Sequence, residues 1–200
     1  MRHLVTAPTL CLAWRSNTPC PFQSFQLVQD FQTVQSIGQL VLSLLVQRRD
    51  DSGGETNLGV TKAAWSGYLN RPIQDGEMKA LTVDIVKPFY KKMYWDKIHG
   101  DELPVGVDYA VFDFAVNAGS GQSAKFLQRA VGATADGAIG PATLKLVSNM
   151  DAETVLEKFN EQKESFYKGI VERKPEQVKF LKGWLARIEH VDAAAQNMFA

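Results

Sequence analysis

From residue 62 to residue 198, apolar residues recur at helical spacing in segments separated by glycine, proline and asparagine. The clearest segment places Val107, Ala110, Val111, Phe114 and Ala118 on one face of a helix, the pattern of an amphipathic helix packed on a core. The other segments are of the same kind. The chain is therefore predicted to be mainly α, with at most a small β-hairpin around residues 55–61.

Local start and stop signals divide this region into elements. Asn70-Arg71-Pro72 ends a first helix, and Thr82 is the expected N-cap of a helix that Pro88 should bend or interrupt. Gly119-Ser120-Gly121 separates two further helices, and Asp151 caps a long charged one. Helices are predicted over 62–69, 83–94, 107–118, 123–131 and 176–198, with others beginning at Pro141 and after Asp151, and a brief helical turn over 75–80.

Composition excludes several classes of function. The 200 residues carry 22 basic and 22 acidic side chains, and this zero net charge does not favour nucleic acid as a partner. No apolar run reaches the length of a membrane span, so stable membrane insertion is not expected. The apolar patch within the first twenty residues is too short and interrupted for a signal peptide. Cys11 and Cys20 are compatible with a local disulfide but are weak evidence of an oxidising compartment.

Residues 1–49 differ from the rest of the chain. All fourteen lysines lie in residues 62–200, whereas residues 1–61 contain none. Between Gln23 and Gln39, glutamines recur every three or four residues beside an apolar stripe, which predicts an amphipathic helix over residues 23–47. The alternative is that the segment arises from an altered reading frame or a mis-called start, and composition does not decide between the two.

The segment from Asp51 to Thr61 combines an acidic turn, the pair Gly53-Gly54 and the carboxylate of Glu55 ahead of a short β-prone stretch. Paired glycines allow backbone conformations, and a close approach to a ligand, that other residues mostly cannot reach. This arrangement suits an active-site loop of a hydrolase that uses carboxylates. No cluster of side chains at metal-ligand spacing is evident, since His99 has no second histidine nearby. Neither a metal nor a cofactor is expected.

Three sets of motifs, in register, resemble the family 108 glycoside hydrolases. They are residues 50–61 with Trp95-Asp96, then 111–119, and then 126–130 with 135–143 and 180–187. The family consists of phage and bacterial N-acetylmuramidases, and the resemblance implies a lysozyme-like helical fold acting on peptidoglycan glycan strands. It also implies a division into an atypical segment 1–49, a hydrolase portion 50–98 and a helical peptidoglycan-binding portion 99–195. In that setting the protein is expected to stay in the cytoplasm until released, as in phage lysis, and to act at the cell wall in the periplasm.

One family feature is missing from this chain. Members carry a Glu-Gly-Gly-aromatic motif about nine residues before the aspartate that corresponds to Asp51, and its glutamate is taken as the catalytic acid. Here that count falls near Leu42, where the chain reads Val41-Leu42-Ser43-Leu44-Leu45, and residues 31–49 contain no glutamate. Glycoside hydrolysis needs a carboxylic acid to protonate the leaving oxygen, which leucine cannot do. The resemblance therefore implies a muramidase whose activity is weak or absent, so its status as an enzyme is open.

Candidate site residues follow from the resemblance and from the residues themselves. Glu55 is the candidate general acid, or else a solvated turn residue, and Asp51 the second carboxylate, or else a turn cap. Thr56 and Asn57 are expected either to hold a water or sugar hydroxyl or to make turn hydrogen bonds. The remaining candidates are a helix stripe expected to line the glycan cleft, or else to satisfy neighbouring backbone groups, and an aromatic ring expected to stack on a sugar: Tyr109, Asp113 and Asn117, and Trp95.

Two other functions are kept open. The chain is either the muramidase that the resemblance implies or a non-catalytic peptidoglycan-binding protein of the same fold. A helical scaffold without a role on glycan is the third possibility, supported only by the unusual N-terminal segment. A carboxylate at the acid position separates the first two, and binding to purified peptidoglycan separates both from the third.

Overall fold

The computed structural model describes residues 55–199. Three predictions lie outside this range: the helix over residues 23–47, the pairing of Cys11 with Cys20, and the role of Asp51. The described residues form two compact units, 55–93 and 94–199. The functional division of the chain at residues 49 and 98 stays a prediction.

The described residues contain one two-stranded antiparallel sheet and seven α-helices, with a π-helix and short 3₁₀ turns between them. The strands are β1 (Thr56–Asn57) and β2 (Val60–Thr61). The helices are α1 (Lys62–Leu69), α2 (Val83–Tyr90), α3 (Val107–Ala118), α4 (Ser120–Ala130), α5 (Pro141–Ser148), α6 (Ala152–Arg173) and α7 (Val178–Gln196). This confirms the mainly α fold with a small hairpin.

In the unit 55–93, the hairpin leads directly into α1, and turns then connect α1 to α2. Thr61 caps α1, because its hydroxyl accepts a hydrogen bond from the Ala64 N–H at 3.2 Å. The core is aromatic: the Trp65 ring stacks on Tyr68 at 5.3 Å, and both rings meet the edge or face of Phe89. Residues 75–80 form successive turns, where the sequence predicts a brief helical turn.

In the unit 94–199, α3, α4, α6 and α7 surround a core built on Phe114. The Phe114 ring stacks on Phe126 at 5.1 Å and makes edge contacts with Phe159 and Phe166. Tyr167 stacks on Trp184 at 5.0 Å, which joins α6 to α7. Edge-to-face and offset-stacked rings add specific geometry to the area that these side chains bury.

The predicted helices 62–69 and 107–118 have the bounds that the structure gives α1 and α3. Two predicted bounds are wrong by three residues or more, and the end of α4 and both ends of α7 differ from their predicted positions by one or two residues. Helix α4 begins at Ser120 rather than 123, because Gly119 alone makes the turn with φ 93°. Helix α2 ends at Tyr90, and the chain continues as a π-helix over Lys91–Trp95. The interruption predicted at Pro88 is therefore a change from α-helix to π-helix, which begins three residues after the proline.

Candidate active site

A tight hairpin carries the first group of candidate residues. Asn57 pairs with Val60, so Leu58 and Gly59 form a two-residue loop, with φ values of 49° and 71°. Positive φ at both central residues is the signature of a type I′ turn, which matches the twist of the flanking strands. Gly59 adopts this conformation readily, whereas Leu58 adopts it under strain. The loop is thus held in one conformation by its surroundings.

Two hydrogen bonds hold the hairpin against the rest of its unit. The Asn57 side-chain amide donates to the Met78 carbonyl at 2.7 Å. The hydroxyl of Tyr90, which is buried, donates to the Leu58 carbonyl at 3.0 Å. The Asn57 side chain is therefore engaged in the fold, and its contact with substrate stays a prediction.

Glu55 lies at the open end of the hairpin and is exposed. Its backbone carbonyl accepts the Lys62 N–H at 2.9 Å, which fixes the backbone next to β1. Thr56 pairs with Thr61 in the sheet and is partly exposed. An exposed carboxylate lacks the apolar setting of a glycosidase's general acid. The catalytic role of Glu55 stays a prediction.

The α3 stripe is centred on Asp113, which is only 5% exposed. The Arg187 guanidinium of α7 donates to both of its carboxylate oxygens, at 2.5 and 3.2 Å. A two-point Arg–carboxylate pair fixes geometry as well as charge. Both oxygens of the Asp113 carboxylate are therefore bound by Arg187. Any effect of Asp113 on substrate would act through neighbouring side chains.

Asn117 and Tyr109 flank this ion pair on α3. The Asn117 amide donates to the Asp113 backbone carbonyl at 2.7 Å, with the Asp113 Oδ2 at 3.5 Å. Burial, followed by the negative charge of Asp113, raises the pKa of Tyr109 to about 12. Tyr109 therefore stays protonated at neutral pH and keeps its hydroxyl hydrogen to donate. Both side chains are partly exposed, and their contact with glycan stays a prediction.

Lys163 of α6 adds a second cation to this buried region. It is 2% exposed, and its ammonium lies 5.2 Å from the centre of the Phe159 ring. Burial lowers the pKa of Lys163 to about 8, although the charges of Asp113 and Asp192 oppose that shift. We call Tyr109, Asp113, Asn117, Lys163 and Arg187 the polar cluster.

Trp95 is positioned by a different set of contacts, within the unit 94–199. Its indole N–H donates to Asp101 Oδ1 at 2.8 Å, and its ring meets Phe112 edge-on at 5.6 Å. Gly100 lies against the ring face, since a Cβ there would come within 2.4 Å of the ring carbons. Trp95 is partly exposed and firmly oriented, while its stacking on sugar stays a prediction.

Arg187 and Lys163 are the members of the polar cluster that sequence reasoning did not find. Lys163 lies between Phe159 and Tyr167 at i±4 spacing, on the buried face of α6, and this position is a usable sequence signal. Asp113 within the apolar run of α3 likewise calls for a buried cation. Which cation it would be was not evident, because Arg187 lies 74 positions away along the chain.

Among residues 55–199, no group of three or more histidine, cysteine, aspartate or glutamate side chains is arranged to hold a metal ion. In the same range, no helix is both long and apolar enough to cross a membrane. The side chains of Asn57, Asn117, Tyr109 and Trp95 are of types that suit the hydroxyl, acetamido and ring-face groups of a sugar.

Two family models match the chain, and so do several solved structures. Residues 43–119 match the model described as glycosyl hydrolase 108, and residues 122–189 match the model described as predicted peptidoglycan domain. The structure of SagA from Brucella abortus is similar at 33% identity and a TM-score of 0.70, covering 82% of this chain and 93% of that chain. No curated protein matched the chain.

Proposed function

Because the chain belongs to the glycosyl hydrolase 108 family and has the two domains of a lysozyme-type peptidoglycan hydrolase, we propose that peptidoglycan is its ligand and that its hydrolysis is weak or absent. The bond in question is the β-1,4 linkage between N-acetylmuramic acid and N-acetylglucosamine. The observation that carries this proposal is the absence of glutamate from residues 31–49, the region in which the family resemblance places the catalytic glutamate. The match to the hydrolase model begins at residue 43, within that region.

The chemical reason is the need for a proton donor. The leaving oxygen of the scissile bond must be protonated as the oxocarbenium-like centre forms, and general acid catalysis contributes roughly 100- to 10,000-fold. Glu55 is the candidate replacement, with Asp51 as the second carboxylate. The exposure of Glu55 supports a slow reaction rather than one at the rate of a family member that has the glutamate.

The side chains proposed to contact the glycan strand are Thr56 and Asn57 on the hairpin, Tyr109 and Asn117 on α3, and Trp95. Asp113 is proposed to act by positioning Asn117, because the Asn117 amide donates to the Asp113 backbone carbonyl at 2.7 Å and also to its carboxylate Oδ2 at 3.5 Å. After its release from the cytoplasm, as in phage lysis, the protein would meet this substrate in the periplasm.

Two measurements test the proposal. The purified chain should sediment with purified peptidoglycan sacculi, and it should clear a wall suspension at least 100-fold more slowly than a family member with the Glu-Gly-Gly-aromatic motif. Clearance at an equal rate would overturn the activity part. Failure to sediment would overturn the binding part and favour the scaffold alternative.

A variant of Glu55 tests whether this residue donates the proton in any residual hydrolysis. If Glu55 supplies the proton, Glu55→Gln abolishes the slow clearance, because an amide cannot donate an acidic proton. Glu102→Gln, which changes another exposed glutamate, is the matched control and should leave the rate unchanged. An unchanged rate in Glu55→Gln removes Glu55 from the mechanism.

A further inference from the structure

A cleft of about 380 Å³ lies in the unit 94–199, and no residue of the polar cluster lines it. It opens between the C-terminal end of α4 and the first half of α6. Its charged and polar lining comes from Arg129, Lys158, Glu161 and Gln162, and the partly exposed Met150 adds apolar surface. This mixture of a few polar groups around an apolar patch is common in ligand sites.

The α4 wall of the cleft is a rigid helix end. Gly132 has φ 74°, and the Ala133 N–H donates to the Gln128 carbonyl at 2.7 Å, as in a Schellman motif. The space beside Gly132 is open, since a Cβ there would meet nothing within 4 Å. The Arg129 guanidinium lies 5.6 Å from the centre of the Phe126 ring, and this cation–π contact holds it at the rim.

The charged side chains of the cleft are available to a ligand. Arg129, Lys158 and Glu161 are all exposed, and none of the ion pairs found among residues 55–199 includes any of them. One turn further along α6, by contrast, Lys168 and Glu164 pair at 2.9 Å. The cleft therefore presents two unpaired cations and one unpaired anion within a small volume.

We infer that this cleft binds the carboxylate-bearing stem peptide of peptidoglycan. Arginine recognises carboxylates through two parallel hydrogen bonds, and lysine adds a point charge. Gln162 supplies a donor and an acceptor for a peptide bond, and Met150 suits an alanine methyl group. No aromatic side chain lines the cleft, so a face for stacking on sugar is missing from it.

This inference rests on the proposed binding to peptidoglycan and assigns it a second contact, to peptide rather than glycan. The probe is the tetrapeptide L-Ala-γ-D-Glu-meso-diaminopimelate-D-Ala, titrated into the full chain by calorimetry, beside the same peptide with its carboxylates amidated. The free acid should bind, and amidation should weaken binding roughly tenfold or more, because charge-assisted hydrogen bonds are lost.

Variants of the charged cleft residues test whether the peptide binds in the cleft. Arg129→Gln with Lys158→Gln should weaken binding of the free peptide roughly tenfold, and Glu161→Gln should strengthen it by removing the like charge. Lys145→Gln with Lys182→Gln is the matched control, because it removes two exposed positive charges outside the cleft and should leave binding unchanged. A similar loss in both double variants would overturn the site.

Sedimentation experiments with sacculi distinguish this inference from the proposed function. Sedimentation with intact sacculi tests binding to peptidoglycan. Competition by the free tetrapeptide, added to intact sacculi, tests the cleft. We expect the tetrapeptide to reduce the bound fraction of the parent chain and to have no effect on that of Arg129→Gln with Lys158→Gln. Binding to intact sacculi with no affinity for the free peptide would overturn the inference and leave the proposed function standing.

Discussion

Among the ion pairs of residues 55–199, the pair between Asp113 and Arg187 has the most buried side chains. Asp113 is buried, and the Arg187 guanidinium, which is partly exposed, meets both of its oxygens. Removing one partner of a buried pair leaves an uncompensated charge, which costs roughly 3–5 kcal/mol, whereas replacing both with apolar residues is often tolerated.

We expect Arg187→Met to lower the free energy of unfolding by about 3 kcal/mol or more, for this reason. Urea unfolding at pH 7 measures it, and Arg173→Met, at an exposed arginine of the same unit, is the control, with a change within about 0.5 kcal/mol. Asp113→Leu combined with Arg187→Met should cost less than the sum of the single variants. An additive double variant would show that the two side chains are not coupled.

Gly100 is a second position at which a small substitution is expected to change stability. A methyl group there would overlap the Trp95 ring, so Gly100→Ala must displace the indole or the backbone. We expect a loss of about 1–3 kcal/mol in the free energy of unfolding, as for overpacking of a core, together with a changed Trp95 fluorescence. In the matched variant Gly169→Ala, the Cβ meets only the end of the flexible Arg173 side chain, so stability should hold or rise. Equal behaviour of the two variants would contradict the packing argument.

Asp108 gives the stability a pH dependence of known sign. Burial raises the pKa of Asp108 to about 6, despite the backbone N–H of Tyr109 that its carboxylate accepts at 2.6 Å. Because the folded state then holds the proton more tightly than the unfolded state, the contribution of Asp108 to stability falls as pH rises from about 4 to about 6.

Asp108→Asn should remove that loss. Its gain in the free energy of unfolding over the parent chain is expected to reach at most about 3 kcal/mol at pH 7 and to vanish near pH 4. Thermal unfolding across pH 4–7 checks both values. A gain that is the same at every pH would show that the charge of Asp108 is not its cause.

At the scale of an element, Gln128 explains why the motif around residues 135–143 accompanies α4. The Gln128 amide is fully buried, and its Nε2 donates to Asp136 Oδ1 at 2.7 Å and to the Ala138 carbonyl at 3.0 Å. Its Oε1 accepts the Gly137 N–H at 2.9 Å. One side chain thus fixes the turn that leads into α5.

Gln128→Met keeps the volume of the side chain and removes these hydrogen bonds, leaving their partners unsatisfied. We expect a loss of roughly 2–4 kcal/mol in the free energy of unfolding, with early hydrogen exchange at Gly137 and Ala138. Gln122→Met, on the same helix but partly exposed, should change stability by less than about 0.5 kcal/mol. Unchanged exchange at Gly137 in Gln128→Met would contradict this role.

The elements of this chain could be predicted where local chemistry decides them. Thr61 as a cap and Asn70 as a left-handed helix end give α1 its bounds directly from sequence. The start of α4 was missed because Ser120-Gly121 has the composition of a loop, yet Gly119 alone provides the turn. The π-helix after Tyr90 has no local signal of comparable strength.

For the molecule as a whole, the candidate site was only partly predictable. The α3 stripe follows from helical periodicity, but the partner of Asp113 depends on how α7 packs, which no local pattern encodes. The hairpin residues follow from the glycine-rich segment. Their anchoring by Met78 and Tyr90, by contrast, is a tertiary contact that the sequence does not show.

We propose that the chain keeps the fold and the ligand of its family and lacks the catalytic acid. Release of reducing ends from purified sacculi tests it most directly, with the parent chain beside a variant carrying Leu42→Glu, Ser43→Gly, Leu44→Gly and Leu45→Tyr. We expect both proteins to bind sacculi, the parent to release reducing ends very slowly or not at all, and the variant to do so roughly 100-fold faster or more. Rapid release by the parent chain, at a rate the variant does not exceed, would contradict the claim.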